Sequence, residues 1–399
     1  MDFKLSEEQL AKKKEFDDFF KEEMNKALEK YPEGEAFEGI FTDIGWEHFK
    51  YMKKRLVETG YLTMAWPKEY GGQDASIIDQ LLFNEAYSYY RGSGIDGWGV
   101  KMFAPSVMLH ATEEQKQRIL PPIAKGEVQY CQGWSEPNAG SDLAALSTTA
   151  IRKGDHYLVN GQKTWTTGAQ RADRLFLLAR TDPNQTRSRG LSVFNVDMSL
   201  PGIEVRPILY MDGSHHYNEV FFTDVKIPVE ERVGTENEGW KQSRDTMNFE
   251  RSGAGVYVAH KRTLEGLIEY IKTTKRNGRY LSEDPLVKQK IGRIYMDIEA
   301  GRSLSYRIAW LQEKGNMVFS PSAASESKVH SSELRQRIAN LAIEIFGLYG
   351  QLNKSKWAPM NGSMVNSYQG SIGENIASGS NEIQRNIIAW VGVSLPRFK

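Results

Sequence analysis

Two runs of hydroxyl, amide and indole side chains stand out for what they could hold. The first is Gln132-Gly133-Trp134-Ser135-Glu136-Pro137-Asn138-Ala139-Gly140-Ser141-Asp142, and the second, one strand-like segment later, is Gly161-Gln162-Lys163-Thr164-Trp165-Thr166-Thr167. Ser135 and Thr167 bring hydroxyls that both donate and accept, and Trp165 brings a flat apolar wall. Such a set suits a planar heterocycle held by its polar edge and covered on one face. Taken singly, Trp165 and its threonines are ordinary strand residues of high β-propensity, and Gly140-Ser141-Asp142 is an ordinary turn. A third candidate is the stretch Asn248-Phe249-Glu250-Arg251, where a carboxylate that could take a proton sits beside a cation. Isolated Glu-Arg neighbours are most often a solvated helix pair, so Glu250 needs support from elsewhere in the chain.

The elements that must position these groups follow an α, then β, then α order. At 399 residues the chain is long enough for two or three subdomains with a sizeable core. Leu5, Leu10, Phe16 and Phe19 are spaced among Glu and Lys as on one helix face, and Ile78 to Tyr90 reads the same way. A run near Ala111 to Arg118 opens on Thr112-Glu113-Glu114 and is expected to stop at Pro121-Pro122. From about Gln129 to Val233, short runs such as Tyr157-Leu158-Val159, Leu175-Phe176-Leu177-Leu178 and Ser192 to Val196 predict a small β domain. Asn160-Gly161 reads there as a hairpin turn. Beyond Gly239, helical segments are expected from Trp240, Pro285, Ala323 and Glu374. The expected domains are residues 1–128, 129–235 and 236–399.

Lysine plus arginine equals aspartate plus glutamate, at 51 each, which gives no reason to expect nucleic acid or an anionic membrane as partner. The single cysteine, Cys131, cannot form an internal disulfide or a thiolate metal cluster, and no histidine spacing suggests a metal. Neither a signal peptide nor a long apolar run is read, so a soluble cytoplasmic protein is expected. Gly92-Ser93-Gly94-Ile95-Asp96-Gly97 satisfies a dinucleotide fingerprint by letter, but a helical pattern precedes it where a strand is required, and it is read as a flexible loop.

The ordered pattern SEPxAGSD followed by NGxKxWxT resembles the flavin-binding signature of the acyl-CoA dehydrogenases, and the likeness extends over nearly the whole chain. It implies an α+β fold: a helical amino-terminal domain, a central β-barrel-like domain and a carboxyl-terminal four-helix bundle. It implies FAD as cofactor, held by Gln132, Ser135, Ser141, Trp165, Thr167, Gly347, Ser380 and Glu382, with no metal. Its activity would be α,β-dehydrogenation of an acyl-CoA, with electron-transferring flavoprotein as acceptor and a tetramer as assembly.

Most of the family places the catalytic carboxylate in a turn before the last helix, where this chain has Ile376-Ala377-Ser378-Gly379-Ser380-Asn381-Glu382. A serine hydroxyl cannot do that work unaided. The branch resembling isovaleryl, long-chain and bacterial pimeloyl-CoA-dehydrogenase-like enzymes supplies its glutamate from an upstream helix, ten residues beyond a Gly-aromatic start. Gly239-Trp240 and Glu250 fit that spacing. The resemblance therefore implies Glu250 as base, its pKa raised by desolvation, with Ser141, Asn248, Arg251 and Ser378 facing substrate.

Two departures concern the surface that, in the family, completes a neighbouring subunit's FAD site. Thr274-Lys275-Arg276-Asn277-Gly278 lacks the arginine and phenylalanine of an Arg-x-x-Phe-Gly motif, and Glu344 stands where a Gln-x-x-Gly-Gly run begins, opposing a pyrophosphate by charge. They fit either a homotetramer with different contacts or a heterotetramer with a sister subunit. A same-fold flavin oxidase and a non-catalytic subunit of a heteromeric enzyme are the alternatives.

Overall fold

The computed structural model describes residues 4–32, 34–246, 253–315, 322–353 and 355–397. The chain divides into two compact units: Met1–Lys26 with Ser76–Gly92 and Ser252–Lys399, and Ala27–Ala75 with Ser93–Arg251. Helices α1 (Glu7–Lys30), α2 (Asp43–Glu58), α3 (Ile77–Tyr89), α4 (Ala104–His110) and α5 (Glu113–Ala124) come first. Strands β1 (Tyr130–Gly133), β2 (Thr149–Lys153), β3 (His156–Lys163), β4 (Arg174–Arg180), β5 (Leu191–Asp197), β6 (Ile203–Leu209), β7 (His215–Pro228) and β8 (Arg232–Val233) follow. Helices α6 (Gly239–Thr246) and α7 (Ala254–Thr273), the small hairpin β9 (Lys275–Arg276) and β10 (Arg279–Tyr280), and helices α8 (Pro285–Glu313), α9 (Ala323–Phe346), α10 (Ser363–Glu374) and α11 (Asn381–Ile387) complete the α+β order.

In the helical unit, α7, α8, α9 and α10 enclose a core that includes Leu264, Leu267, Ile298, Leu334, Ile338 and Met364. Helix α3 joins them through Glu85, a buried carboxylate that accepts from Arg302 Nε at 2.9 Å and Nη2 at 2.8 Å and from Tyr306 Oη at 3.2 Å. The buried stripe of α1 is Phe16 and Phe20, edge-on to Phe83 and Tyr87 of α3 at 5.5 Å each. Leu10, expected on that stripe, is 53% exposed.

The second unit is built on a mixed sheet in the order β6-β7-β3-β2-β4-β5-β8, with β1 parallel to β4. Strands β4 and β5 are buried along nearly their whole length, which is why their sequences run apolar without alternation. Leu175 and Leu177 face one core with Phe194, Val196, Val220 and Ile227, while Phe176 packs against Phe103 and Trp134.

Four local expectations are corrected. Asn160-Gly161 is no turn: the turn between β2 and β3 lies at residues 154–155, and β3 runs through Asn160-Gly161 with a bulge. There the Asn160 amide clamps Asp224, donating to its Oδ1 at 3.0 Å and accepting from its N–H at 2.9 Å. Gly161 takes φ +147° and passes so close to Thr148 that an added Cβ would lie 2.7 Å from its Cα. Helix α5 does not stop at Pro121-Pro122; the two prolines lack N–H groups, but their carbonyls accept from Lys125 and Glu127, and the turn buries Ile119, Leu120 and Ile123. Glu374 ends a helix instead of starting one. Left-handed backbone at Ser378 and Gly379 separates α10 from α11. Lastly, the loop of residues 92–97 is tied down, because the buried Asp96 carboxylate accepts N–H groups from Trp98 (3.1 Å), Gly99 (3.0 Å) and Tyr130 (2.7 Å).

Candidate active site

The two motif runs meet at the end of β1 and the end of β3. Thr164 N–H donates to the Ser135 carbonyl at 2.9 Å, and the buried Lys163 ammonium donates to the Trp134 carbonyl at 3.1 Å and to Glu136 Oε1 at 2.8 Å. Glu136 also accepts from Ser147 N–H (2.7 Å), Ser147 Oγ (2.8 Å) and Thr148 N–H (2.9 Å). Burial would raise the Glu136 carboxyl, but Lys163 and these donors outweigh it and hold it down to about 2. Burial pulls the Lys163 ammonium the other way, downward, against the pull of Glu136. Glu136 and Ala139 exchange backbone hydrogen bonds across the Pro137-Asn138 tip, which fixes the loop leading to the exposed Ser141.

Trp165 follows directly. Its backbone is left-handed at φ +58°, and its indole is 57% exposed, held edge-on by Tyr217 with ring centroids 5.7 Å apart. A bulky residue in that conformation carries strain of about 1–2 kcal/mol, and strain of this kind collects at functional sites. Thr166 on one side is buried and Thr167 half-buried. Thr166 Oγ1 and Trp134 Nε1 are buried without a hydrogen-bond partner. Gln132, half-buried on β1, directs its amide to Met102 Sδ at 3.8 Å. Unmet buried hydroxyl and indole groups beside an exposed indole wall fit a flat heteroaromatic ligand with polar edges, as FAD is.

In the helical unit, Ser378 is exposed on left-handed backbone at φ +54°, Ser380 caps α11 by accepting from Ile383 N–H at 3.3 Å, and Glu382 stands exposed in its first turn. Asn381 anchors this turn to α9, accepting from Lys328 Nζ at 2.7 Å and Ser332 Oγ at 3.1 Å. Gly347 lies beyond the far end of α9, about 20 Å along the helix from Ser332. Near it, Arg276 donates to the Ile345 carbonyl at 2.5 Å, and Glu344 is paired with Lys290. Asn277-Gly278, φ +53° and +80°, makes the tight hairpin turn between β9 and β10. Asn248, Glu250 and Arg251 lie outside the described residues.

Lys163 and Glu136 lie inside the motif runs, but nothing in their spacing signals that they pair. Asn218, one amide in a strand, leaves no periodic or motif signal in the sequence.

Flavoenzyme architecture of this kind is shared by known proteins. Family models match along the chain: acyl-CoA dehydrogenase N-terminal domain at residues 6–127, middle domain at 131–225 and C-terminal domain at 237–392. Acyl-CoA dehydrogenase FadE29 of Mycobacterium tuberculosis is 35% identical over 345 residues, covering 86% of this chain and 88% of that protein. Among solved structures, the ChsE4-ChsE5 complex from Mycobacterium tuberculosis matches with TM-score 0.86 and 31% identity over 100% of both chains. The Tcur3481-Tcur3483 steroid ACAD matches with TM-score 0.88 and 28% identity, also over 100% of both. The chain belongs to the acyl-CoA dehydrogenase family. It is an FAD-dependent oxidoreductase of acyl-CoA thioesters.

Proposed function

We propose that this chain forms a 2-enoyl-CoA from an acyl-CoA with Glu250 as the general base. The observation that carries the assignment is the turn before α11: it presents Ser378, an exposed hydroxyl, where most of the family has its carboxylate. Glu250 takes the α proton, Arg251 and Asn248 lie beside the substrate, and the Ser378 backbone N–H donates to the thioester oxygen as enolate charge develops. When bound, FAD supplies the acceptor for the hydride leaving the β carbon. Ser135, Trp165 and Thr167 hold the reactive ring, with Gln132, Ser141, Ser380 and Glu382 around the rest of the cofactor. Gly347 contacts the cofactor of a neighbouring subunit.

We further propose a tetramer that includes a sister subunit, with electron-transferring flavoprotein as acceptor and a cytoplasmic location. Among the described residues no helix is long and apolar enough to cross a membrane. The altered residues Thr274, Asn277 and Glu344 support the sister subunit, and the domains are taken as 1–128, 129–235 and 236–399. The likeness to a protein described as a steroid ACAD makes a ring-bearing acyl-CoA the first substrate to try.

The test is an acyl-CoA panel, steroid-bearing and straight-chain, with an artificial electron acceptor, run on the wild type and Glu250→Gln. Loss of a general base lowers the rate by about 10²-fold or more. A variant within about tenfold of wild type rules Glu250 out as base. A homotetramer of this chain alone, carrying FAD in every subunit, rules out the sister subunit.

A further inference from the structure

Trp165 keeps a backbone conformation that few bulky residues adopt, and one buried residue, Asn218, holds the residue after it through both its backbone carbonyl and its side-chain amide. Thr166 N–H donates to the Asn218 carbonyl at 2.9 Å, and Asn218 Nδ2 donates back to the Thr166 carbonyl at 3.0 Å. That carbonyl can only accept, so it fixes which end of the amide is which. The second Nδ2 hydrogen goes to Gln170 Oε1 at 2.7 Å, and Oδ1 lies 2.7 Å from His215 Nε2, which then carries the ring proton. Asn218 is fully buried. Its register partner on β6 is Pro207, which has no N–H to offer the Asn218 backbone, and the Asn218 carbonyl is taken by Thr166 instead. On the other side of Trp165, the Thr164 N–H is held by Ser135. The strained residue is thus gripped at both neighbours, and its indole leans on Tyr217, the residue before Asn218.

We propose that Asn218 is a positioning residue: by gripping Thr166 it keeps Trp165 left-handed and so presents the indole to the flavin ring. The inference rests on the reading that Trp165 faces the flavin. Without the amide, the Trp165 backbone relaxes toward negative φ, the indole swings away, and the wall that covers the ring is lost.

The experiment uses the purified enzyme in the assembly in which it is isolated, stripped of FAD and titrated with FAD, with the visible flavin spectrum recorded. Variants are Asn218→Ala, Trp165→Phe and the double variant. Asn218→Ala is expected to weaken FAD binding about tenfold, equivalent to about 1.4 kcal/mol, and to shift the flavin absorption bands. In the Trp165→Phe background the same change is expected to have far less effect, because its route of action is gone. A purely structural role would weaken both backgrounds equally, and that result overturns the proposal. Wild-type affinity and spectrum in Trp165→Phe itself instead defeat the reading that Trp165 faces the flavin, and the proposal with it. If Asn218→Ala does not fold, Gln170→Ala frees one Asn218 N–H while leaving the residue in place. The same shift, smaller in size, is then required, and an unchanged spectrum and affinity overturn the inference.

Discussion

Lys163 Nζ lies 2.8 Å from Glu136 Oε1, and both side chains are buried, with exposures of 0% and 5%. The pair joins the loop that carries Ser135 to the strand end that carries Trp165, so a charge inside the β unit holds the two motif runs in register. A buried pair of this kind is poor evidence of net stability, since desolvation offsets most of the attraction, but removing one partner strands the other charge. Lys163→Met or Glu136→Leu alone is therefore expected to cost about 3–5 kcal/mol in chemical denaturation. The double replacement is expected to cost less than either single one. Equal or additive losses in a double-mutant cycle would show that the two groups do not act as a pair.

Gly161 gives a sharper test of the bulge in β3. At φ +147°, an added Cβ would lie 2.5 Å from Thr148 Oγ1 and 2.7 Å from its Cα, and the backbone contact cannot move cheaply. Gly161→Ala is expected to destabilise the protein by about 2–3 kcal/mol, measured by urea unfolding. Gly278→Ala, at φ +80° with nothing within 4 Å of the added carbon, bears only the backbone strain, about 1 kcal/mol. Equal losses at the two sites would mean that the close approach to Thr148 does not matter.

These two glycines also show what the sequence could and could not reveal. Each follows an asparagine, and the dipeptide alone predicts a hairpin turn at both. Asn277-Gly278 makes that turn, while Asn160-Gly161 lies inside a strand because Asp224 and Thr148, distant in sequence, claim it. The α, β, α order was legible because apolar periodicity is local, and the flavin runs were legible because their residues are contiguous. Contacts such as Asn218 with Thr166, or Lys290 with Glu344, join residues many positions apart and leave no trace in spacing. Glu250 lies outside the described residues and is proposed as base from the family resemblance, on its spacing from Gly239-Trp240 and on what Ser378 lacks.

Acid should loosen the helical unit through His260. This imidazole is buried on α7 and donates from Nε2 to the Ser331 carbonyl of α9 at 3.1 Å, and burial pushes its pKa down from 6.5 to about 4. A folded-state value below the unfolded one means that the contribution is present above pH 6.5 and is lost as pH falls toward 4. A gap of that size corresponds to about 3 kcal/mol. Glu136 acts lower, its contribution present above pH 4.5 and lost as pH falls toward 2. Unfolding free energies measured from pH 7 to 4 are expected to fall in the wild type and to stay flatter in His260→Gln. Parallel curves would exclude His260 as the source.

Ser378 separates the demands of fold and chemistry in the turn before α11. Its φ of +54° strains any residue with a Cβ, whereas glycine adopts it freely. Ser378→Gly keeps the backbone N–H, which is the group assigned to the thioester oxygen, and discards only the hydroxyl. The variant is expected to gain about 0.5–1 kcal/mol in stability while its kcat changes by less than about threefold. A fall of about 10²-fold without loss of stability would instead make the hydroxyl itself part of the chemistry, as removal of a direct donor to the oxyanion does. The base assignment to Glu250 would then need revision, because the turn would contribute more than its backbone.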